Sequence, residues 1–168
     1  KYEVTAEEVA YHGKAHGYFA KPAEAGKYPG VVMIHEWWGI NENIKEMARQ
    51  LAGEGYMVLA VDLYHGEVAT TPERARELVS SIKQDEANLN LRKATTYLRD
   101  QQATKLAAFG WCFGGGQAMQ LSLTGEKLDA TVIYYGQLVT DEAKLKTIQW
   151  PVLGIFGEND QSVKVESV

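Results

Sequence analysis

The segment Gly110-Trp111-Cys112-Phe113-Gly114-Gly115-Gly116 sets one cysteine among glycines, between the apolar run Leu106 to Phe109 and a stretch of helix formers from Gln117 to Leu123. A buried strand feeding a helix through such a turn has the form of a nucleophile elbow. There the reactive side chain takes a strained backbone geometry, and small neighbours let strand and helix approach closely. A free thiol has a pKa of about 8.5, so attack near neutrality requires a base or the positive end of a helix, and an elbow supplies the second. The backbone N–H of Phe113, next after the cysteine, is then placed to hold a developing oxyanion. The competing reading is an ordinary strand-to-helix turn around a buried thiol, which must treat the coincidence of strand, Gly110, Cys112, Gly114 and helix as accidental.

Two further strand ends direct polar groups toward the same crevice. Val31-Val32-Met33-Ile34 runs into His35-Glu36-Trp37-Trp38-Gly39, and Val152 to Phe156 runs into Gly157-Glu158-Asn159-Asp160. Parallel α/β sheets bind ligands at the carboxyl ends of their strands, so Glu36, Cys112 and Asp160 are expected together. A second oxyanion donor is expected from the loop after the earlier strand, at the Trp37 amide. Competing readings stay open at this point: Gly-Glu-Asn-Asp is good turn chemistry, and Trp37 and Trp38 serve as pocket wall or as buried aromatic core. Tyr135, at another strand end, is pocket wall or a structural hydroxyl, while Asp62 and Tyr64 also read as a turn with a packed ring. His35 adjoins Glu36 on a strand, where neighbours point to opposite faces, so it does not face Cys112 if Glu36 does.

These groups must be positioned by a doubly wound, mostly parallel α/β sheet. Glu7 to Tyr11 and Ala15 to Ala20 read as an antiparallel hairpin at its edge, with His12 and His16 on the solvated face. Val31 to Ile34, Tyr56 to Val61, Leu106 to Phe109, Thr131 to Tyr135 and Val152 to Phe156 supply the remaining strands. Ile44, Met47, Ala48 and Leu51 fall at helical spacing, and Thr71-Pro72 caps a helix whose stripe is Ala75, Leu78, Val79 and Ile82. Ala87, Leu91, Ala94 and Leu98 mark another, running from Asp85 to Arg99, and Asp141 to Leu145 is a short one. At 168 residues with 45% hydrophobic and 23% charged residues, one globular domain is expected, with a core large enough to need no disulfide. No apolar run approaches the length of about 18 residues that spans a bilayer. The net charge of −5 has no basic block, so neither nucleic acid nor membrane is expected as a partner, and a small molecule is. A monomer in the cytoplasm with no cofactor or metal is expected, although the absence of an initial methionine leaves a removed export signal open.

Gly110-Trp111-Cys112-Phe113-Gly114-Gly115, His35-Glu36-Trp37-Trp38-Gly39, Asp62-Leu63-Tyr64, Tyr134-Tyr135-Gly136 and Gly157-Glu158-Asn159-Asp160 together resemble the dienelactone hydrolase (carboxymethylenebutenolidase) family of the α/β-hydrolase fold. The resemblance covers nearly the whole chain in the family's order. It implies Cys112 as nucleophile, Asp160 as the triad acid, and Glu36 as a carboxylate that meets the thiol and governs its ionisation. It further implies a pocket for a small ester or lactone, with Trp38, Tyr64 and Tyr135 against the substrate and an arginine from the helix after Asp62-Leu63-Tyr64 on its carboxylate. Arg74 and Arg76 lie about 200° apart on a helical wheel, so only one faces the crevice, and Arg76 is the expected one.

The family's triad histidine lies beyond its acid, whereas His12, His16, His35 and His65 all precede the elbow here. That histidine is therefore expected beyond Val168. Ser162 can cap a helix from Val163, yet the chain stops within two turns, so the domain reads as incomplete at its C-terminus, with the last strand a bare apolar edge. Two other functions fit the elbow less fully. A glutamine amidotransferase of class I would need a histidine and a glutamate two residues apart near the C-terminus, and these are lacking. A degenerate hydrolase fold acting as a binding module or thiol sensor would need no base at all.

Overall fold

The computed structural model describes all residues, 1–168. Seven strands form one sheet in the order β1-β2-β4-β3-β5-β6-β7. The hairpin β1 (Val4–His12) and β2 (Ala15–Pro22) is antiparallel and lies at one edge, and β2 runs antiparallel to β4 (Met57–Val61). From β4 onward every pairing is parallel: β3 (Gly30–Ile34), β5 (Leu106–Trp111), β6 (Ala130–Tyr134) and β7 (Val152–Ile155). The carboxyl ends of β3, β4, β5, β6 and β7 consequently open on one side of the molecule.

Helices cover both faces, as the period-2 alternation in the central strands demands. Val31 and Met33 of β3, with Val58 and Ala60 of β4, pack on Ile44, Ala48 and Ala52 of α1 (Glu42–Gly53). Their neighbours Val32, Ile34, Leu59 and Val61 face the larger core, which includes Leu91, Ala94 and Leu98 of α3 (Gln84–Asp100). Between them α2 (Pro72–Ser81) starts as its sequence requires: the Thr71 hydroxyl accepts the Arg74 N–H at 3.2 Å, and proline takes the first turn. No helix is long and apolar enough to cross a membrane.

Two elements depart from the sequence expectation. The helix after the elbow, α4 (Phe113–Ser122), begins at Phe113 rather than at Gln117. Three consecutive glycines argue against helix by propensity, yet this helix can lie against the sheet only without side chains. A Cβ on Gly114 would be driven into the Ile34 and His35 carbonyls, and one on Gly110 into the Gly114 carbonyl. At the other departure, no α-helix starts at Val163. The Asp160 carboxylate accepts the N–H groups of Ser162 (2.7 Å) and Val163 (3.0 Å), closing a turn, and only a 3₁₀ turn at Val165–Ser167 follows. The short helix α5 (Glu142–Leu145) is capped by Asp141, as expected. Val152, Leu153 and Ile155 of β7 are 45, 55 and 37% exposed, and this strand pairs with β6 alone.

Candidate active site

Cys112 sits between β5 and α4 with φ 53° and ψ −120°, a left-handed conformation that a side chain tolerates only where the surroundings enforce it. The enforcement is visible on both sides: the Cys112 N–H donates to the Tyr134 carbonyl at 2.9 Å, and the Cys112 carbonyl accepts the Gly116 N–H at 3.1 Å. The thiol is exposed at the mouth of a cleft of about 440 Å³, with Trp37, Tyr135, Leu138 and Val139 in its walls. The thiol pKa is raised, first by desolvation against these walls. The Phe113 N–H hydrogen bond to the sulfur opposes that, and the Glu36 and Asp160 charges add to it. The elbow thus brings Glu36, Cys112 and Asp160 within electrostatic reach of one another.

Glu36 is aimed by the end of β3. The fully buried His35 ring donates through Nδ1 to the Glu36 carbonyl at 2.6 Å and accepts the Leu63 N–H on Nε2 at 3.2 Å. Burial lowers the His35 pKa, so the ring is neutral and both nitrogens are engaged; it is not a base for Cys112. The Tyr135 phenol faces Glu36 from the end of β6. Its pKa is raised by desolvation first and then by the Glu36 and Cys112 charges, and its φ of 39° shows that the turn holds it there under strain. Asp160 is fixed by the two amides that cap it, which hold its carboxyl below the ordinary range. Next to Glu36, the Trp37 N–H has no hydrogen-bond partner within the protein and so remains available to an oxyanion.

The two arginines of α2 separate cleanly. Arg74 is taken up by Glu67 and Glu77 at 2.5 and 2.7 Å, whereas the Arg76 guanidinium lies over the Trp37 ring, 5.7 Å from its centroid, with only a long 3.9 Å contact to Glu73. Arg76 is therefore the cation beside the cleft. Trp38 and Tyr64, expected against the substrate, do not line the cleft. Trp38 packs edge to face on Trp37, with ring centroids 5.0 Å apart, and Tyr64 is buried behind Phe113 because the Asp62 carboxylate pins its N–H at 2.8 Å. A reciprocal amide pair in the wall, Gln84 with Gln117 at 2.9 and 3.1 Å, carries no local sequence signal, since the two residues lie 33 positions apart on different helices.

A second hollow of about 420 Å³ lies between the hairpin turn and the α2–α3 corner, and it holds His12, Lys14 and His65 but none of the reactive groups. With His16 exposed on β2, no histidine of the chain stands at Cys112. No three His, Cys, Asp or Glu side chains are grouped to hold a metal.

A parallel sheet with a strained elbow residue, an amide after it and an acid on the loop after a later strand defines an α/β-hydrolase-type site. The profile of the dienelactone hydrolase family matches residues 15–168, and the chain belongs to that family, among the carboxylic ester hydrolases. A protein of Aquifex aeolicus assigned as a carboxymethylenebutenolidase is 32% identical over 165 residues, covering 92% of this chain and 71% of that one. Among solved structures, a Klebsiella pneumoniae protein assigned as a dienelactone hydrolase superposes with a TM-score of 0.87 at 26% identity, over 98% of this chain and 77% of that one. A dienelactone hydrolase-like promiscuous phosphotriesterase from metagenomic libraries, P91, gives a TM-score of 0.84 at 30% identity, over 98% and 73%.

Proposed function

We propose that the protein is a cysteine-dependent hydrolase of small esters or lactones that carry a carboxylate. The observation that carries this reading is Cys112 itself, an accessible thiol held at φ 53° at the N-terminus of α4. The substrate carbonyl lies against the sulfur. Attack forms the carbon–sulfur bond, and the charge that develops on oxygen meets the Phe113 and Trp37 amides, each worth roughly 3 kcal/mol in the transition state. Collapse expels the alkoxide, which takes a proton, and water then hydrolyses the thioester to regenerate the thiol. Proton transfer requires a base beside the thiol, and Asp160, whose carboxylate is fixed by the Ser162 and Val163 amides, is the acid that would orient it. Arg76, over Trp37 at the rim, supplies the positive charge for a substrate carboxylate. Tyr135 restrains Glu36 until substrate displaces it.

The test is Cys112→Ala in the full-length protein, assayed on dienelactone and on p-nitrophenyl acetate. Loss of about 10⁴-fold or more in kcat/KM is expected, the scale on which removal of a nucleophile acts. Hydrolysis that survives the substitution overturns the reading. A full-length wild type that binds these esters in the cleft without turning them over favours a binding module instead.

A further inference from the structure

Glutamines supply most of the polar lining of the cleft. No aspartate, glutamate, lysine or arginine borders it, yet Gln84, Gln117, Gln120 and Gln137 all do. Gln117 is the enclosed member, 7% exposed, and lies one helical turn beyond Phe113 on α4. Cys112 is only about 7.5 Å away along the helix axis, and helical side chains lean toward the helix N-terminus, so the Gln117 amide is carried back toward the nucleophile. The hydrogen bonds of the amide pair are unequal. Gln84 Nε2 spends both of its N–H groups, on Gln117 Oε1 and on Asn88 Oδ1, each at 2.9 Å. Gln117 Nε2 spends one, on Gln84 Oε1 at 3.1 Å, and its second N–H has no acceptor within the protein. Each amide oxygen of the pair accepts one bond and keeps a lone pair.

We infer that Gln117, held by Gln84, is a specificity-determining residue of the cleft and hydrogen-bonds a hydroxyl on the acyl part of the substrate. The inference rests on the hydrolase reading above and extends it to a neutral group of the substrate. A hydroxyl donates and accepts, which matches one free N–H beside an oxygen with a spare lone pair. A carboxylate only accepts, so the two amide oxygens oppose it, and that group belongs to Arg76 over Trp37 at the rim. Gln84 supplies the rigidity. With both N–H groups engaged it cannot turn without breaking two bonds, and the reciprocal pair holds the Gln117 amide in place before any substrate arrives. Apolar substrate surface is left to Leu138 and Val139. An analogue without the hydroxyl leaves the buried N–H unpaired against it, which is how a polar site rejects an otherwise similar molecule.

The experiment compares β-hydroxy-γ-butyrolactone with γ-butyrolactone in the full-length protein, each kcat/KM being divided by the rate of alkaline hydrolysis to remove the hydroxyl's intrinsic effect. The wild type should favour the hydroxylated lactone about tenfold, the scale of one hydrogen bond. Gln117→Leu should abolish that preference by slowing the hydroxylated lactone, while γ-butyrolactone stays within about twofold of wild type. Because this change strands the Gln84 amide, the double variant Gln84→Leu/Gln117→Leu, which leaves neither amide unpaired, is measured with it, and Tm is followed in both. The double variant should lose the same preference at an unchanged Tm. A wild type without preference overturns the inference, as does a preference that persists in the double variant. A fall shared equally by both lactones overturns it too, as the mark of a pair that only joins α3 to α4. If Cys112→Ala is inactive while the lactone ratio is unchanged in the Gln117 variants, only the role of Gln117 falls. If Cys112→Ala still opens γ-butyrolactone, the nucleophile reading falls instead.

Discussion

At the scale of single residues, the site is a contest over one proton on Cys112. Desolvation by the cleft walls raises the thiol pKa most, the Phe113 N–H opposes this, and the carboxylates of Glu36 and Asp160 raise it further. A raised pKa leaves the resting sulfur protonated at neutral pH and therefore slow to oxidise or alkylate. Glu36 is the partner whose charge can be removed with least disturbance, because its backbone is held independently by the His35 ring. Glu36→Gln keeps shape and hydrogen-bonding capacity but lifts a like charge from the thiolate. Iodoacetamide should then label Cys112 faster at neutral pH in the substrate-free protein, by roughly three- to tenfold for a partly solvated neighbour. Equal labelling rates at every pH would return Glu36 to the ordinary surface and leave burial and Asp160 to explain the unreactive thiol.

Between elements, the joint that matters is His35, which ties the end of β3 to the loop leaving β4. One ring nitrogen donates to the Glu36 carbonyl and the other accepts the Leu63 N–H, so protonation breaks the second bond and places a charge where there is no water. The His35 pKa is lowered in the folded protein, by desolvation first. Below the ordinary histidine value of about 6.5 the unfolded chain therefore binds a proton that the folded chain refuses. Stability is complete above that pH and is lost as pH falls through it, with a limiting slope of about 1.4 kcal/mol per pH unit. The depressed carboxylates Glu46, Glu67, Glu126 and Asp160 act only in more acid solution, which separates their effect from that of His35. Urea midpoints measured between about pH 7.5 and about pH 5 should fall steeply for the wild type and much less for His35→Gln, whose amide keeps a donor and an acceptor. Parallel slopes in the two proteins would show that His35 does not set the pH dependence.

Over the whole molecule, what the sequence displayed was whatever short-range pattern encodes. Apolar runs announced β3 and β4, Thr71-Pro72 announced α2, and the cysteine among glycines announced the elbow with its φ of 53°. Hidden were the features decided by contacts across the sheet. The start of α4 depends on carbonyls of β3 and its loop pressing where Gly114 has no side chain, and the Gln84–Gln117 pair joins two helices. The strand β7 belongs to the legible part, because the apolar run from Val152 to Phe156 can be read directly. Its residues are exposed on both faces, Leu153 most of all at 55%, and its outer backbone groups are free to pair with another strand. Such an edge is a template for intermolecular β-pairing, which a lysine blocks by carrying charge into the new interface. A polypeptide of residues 1–168 should accordingly show light scattering that rises with concentration, and Leu153→Lys should reduce that association several-fold without lowering Tm, since the side chain gives up little burial. A chain that stays monomeric at high concentration with Leu153 in place would mean that the free edge is too short or too twisted to recruit a partner.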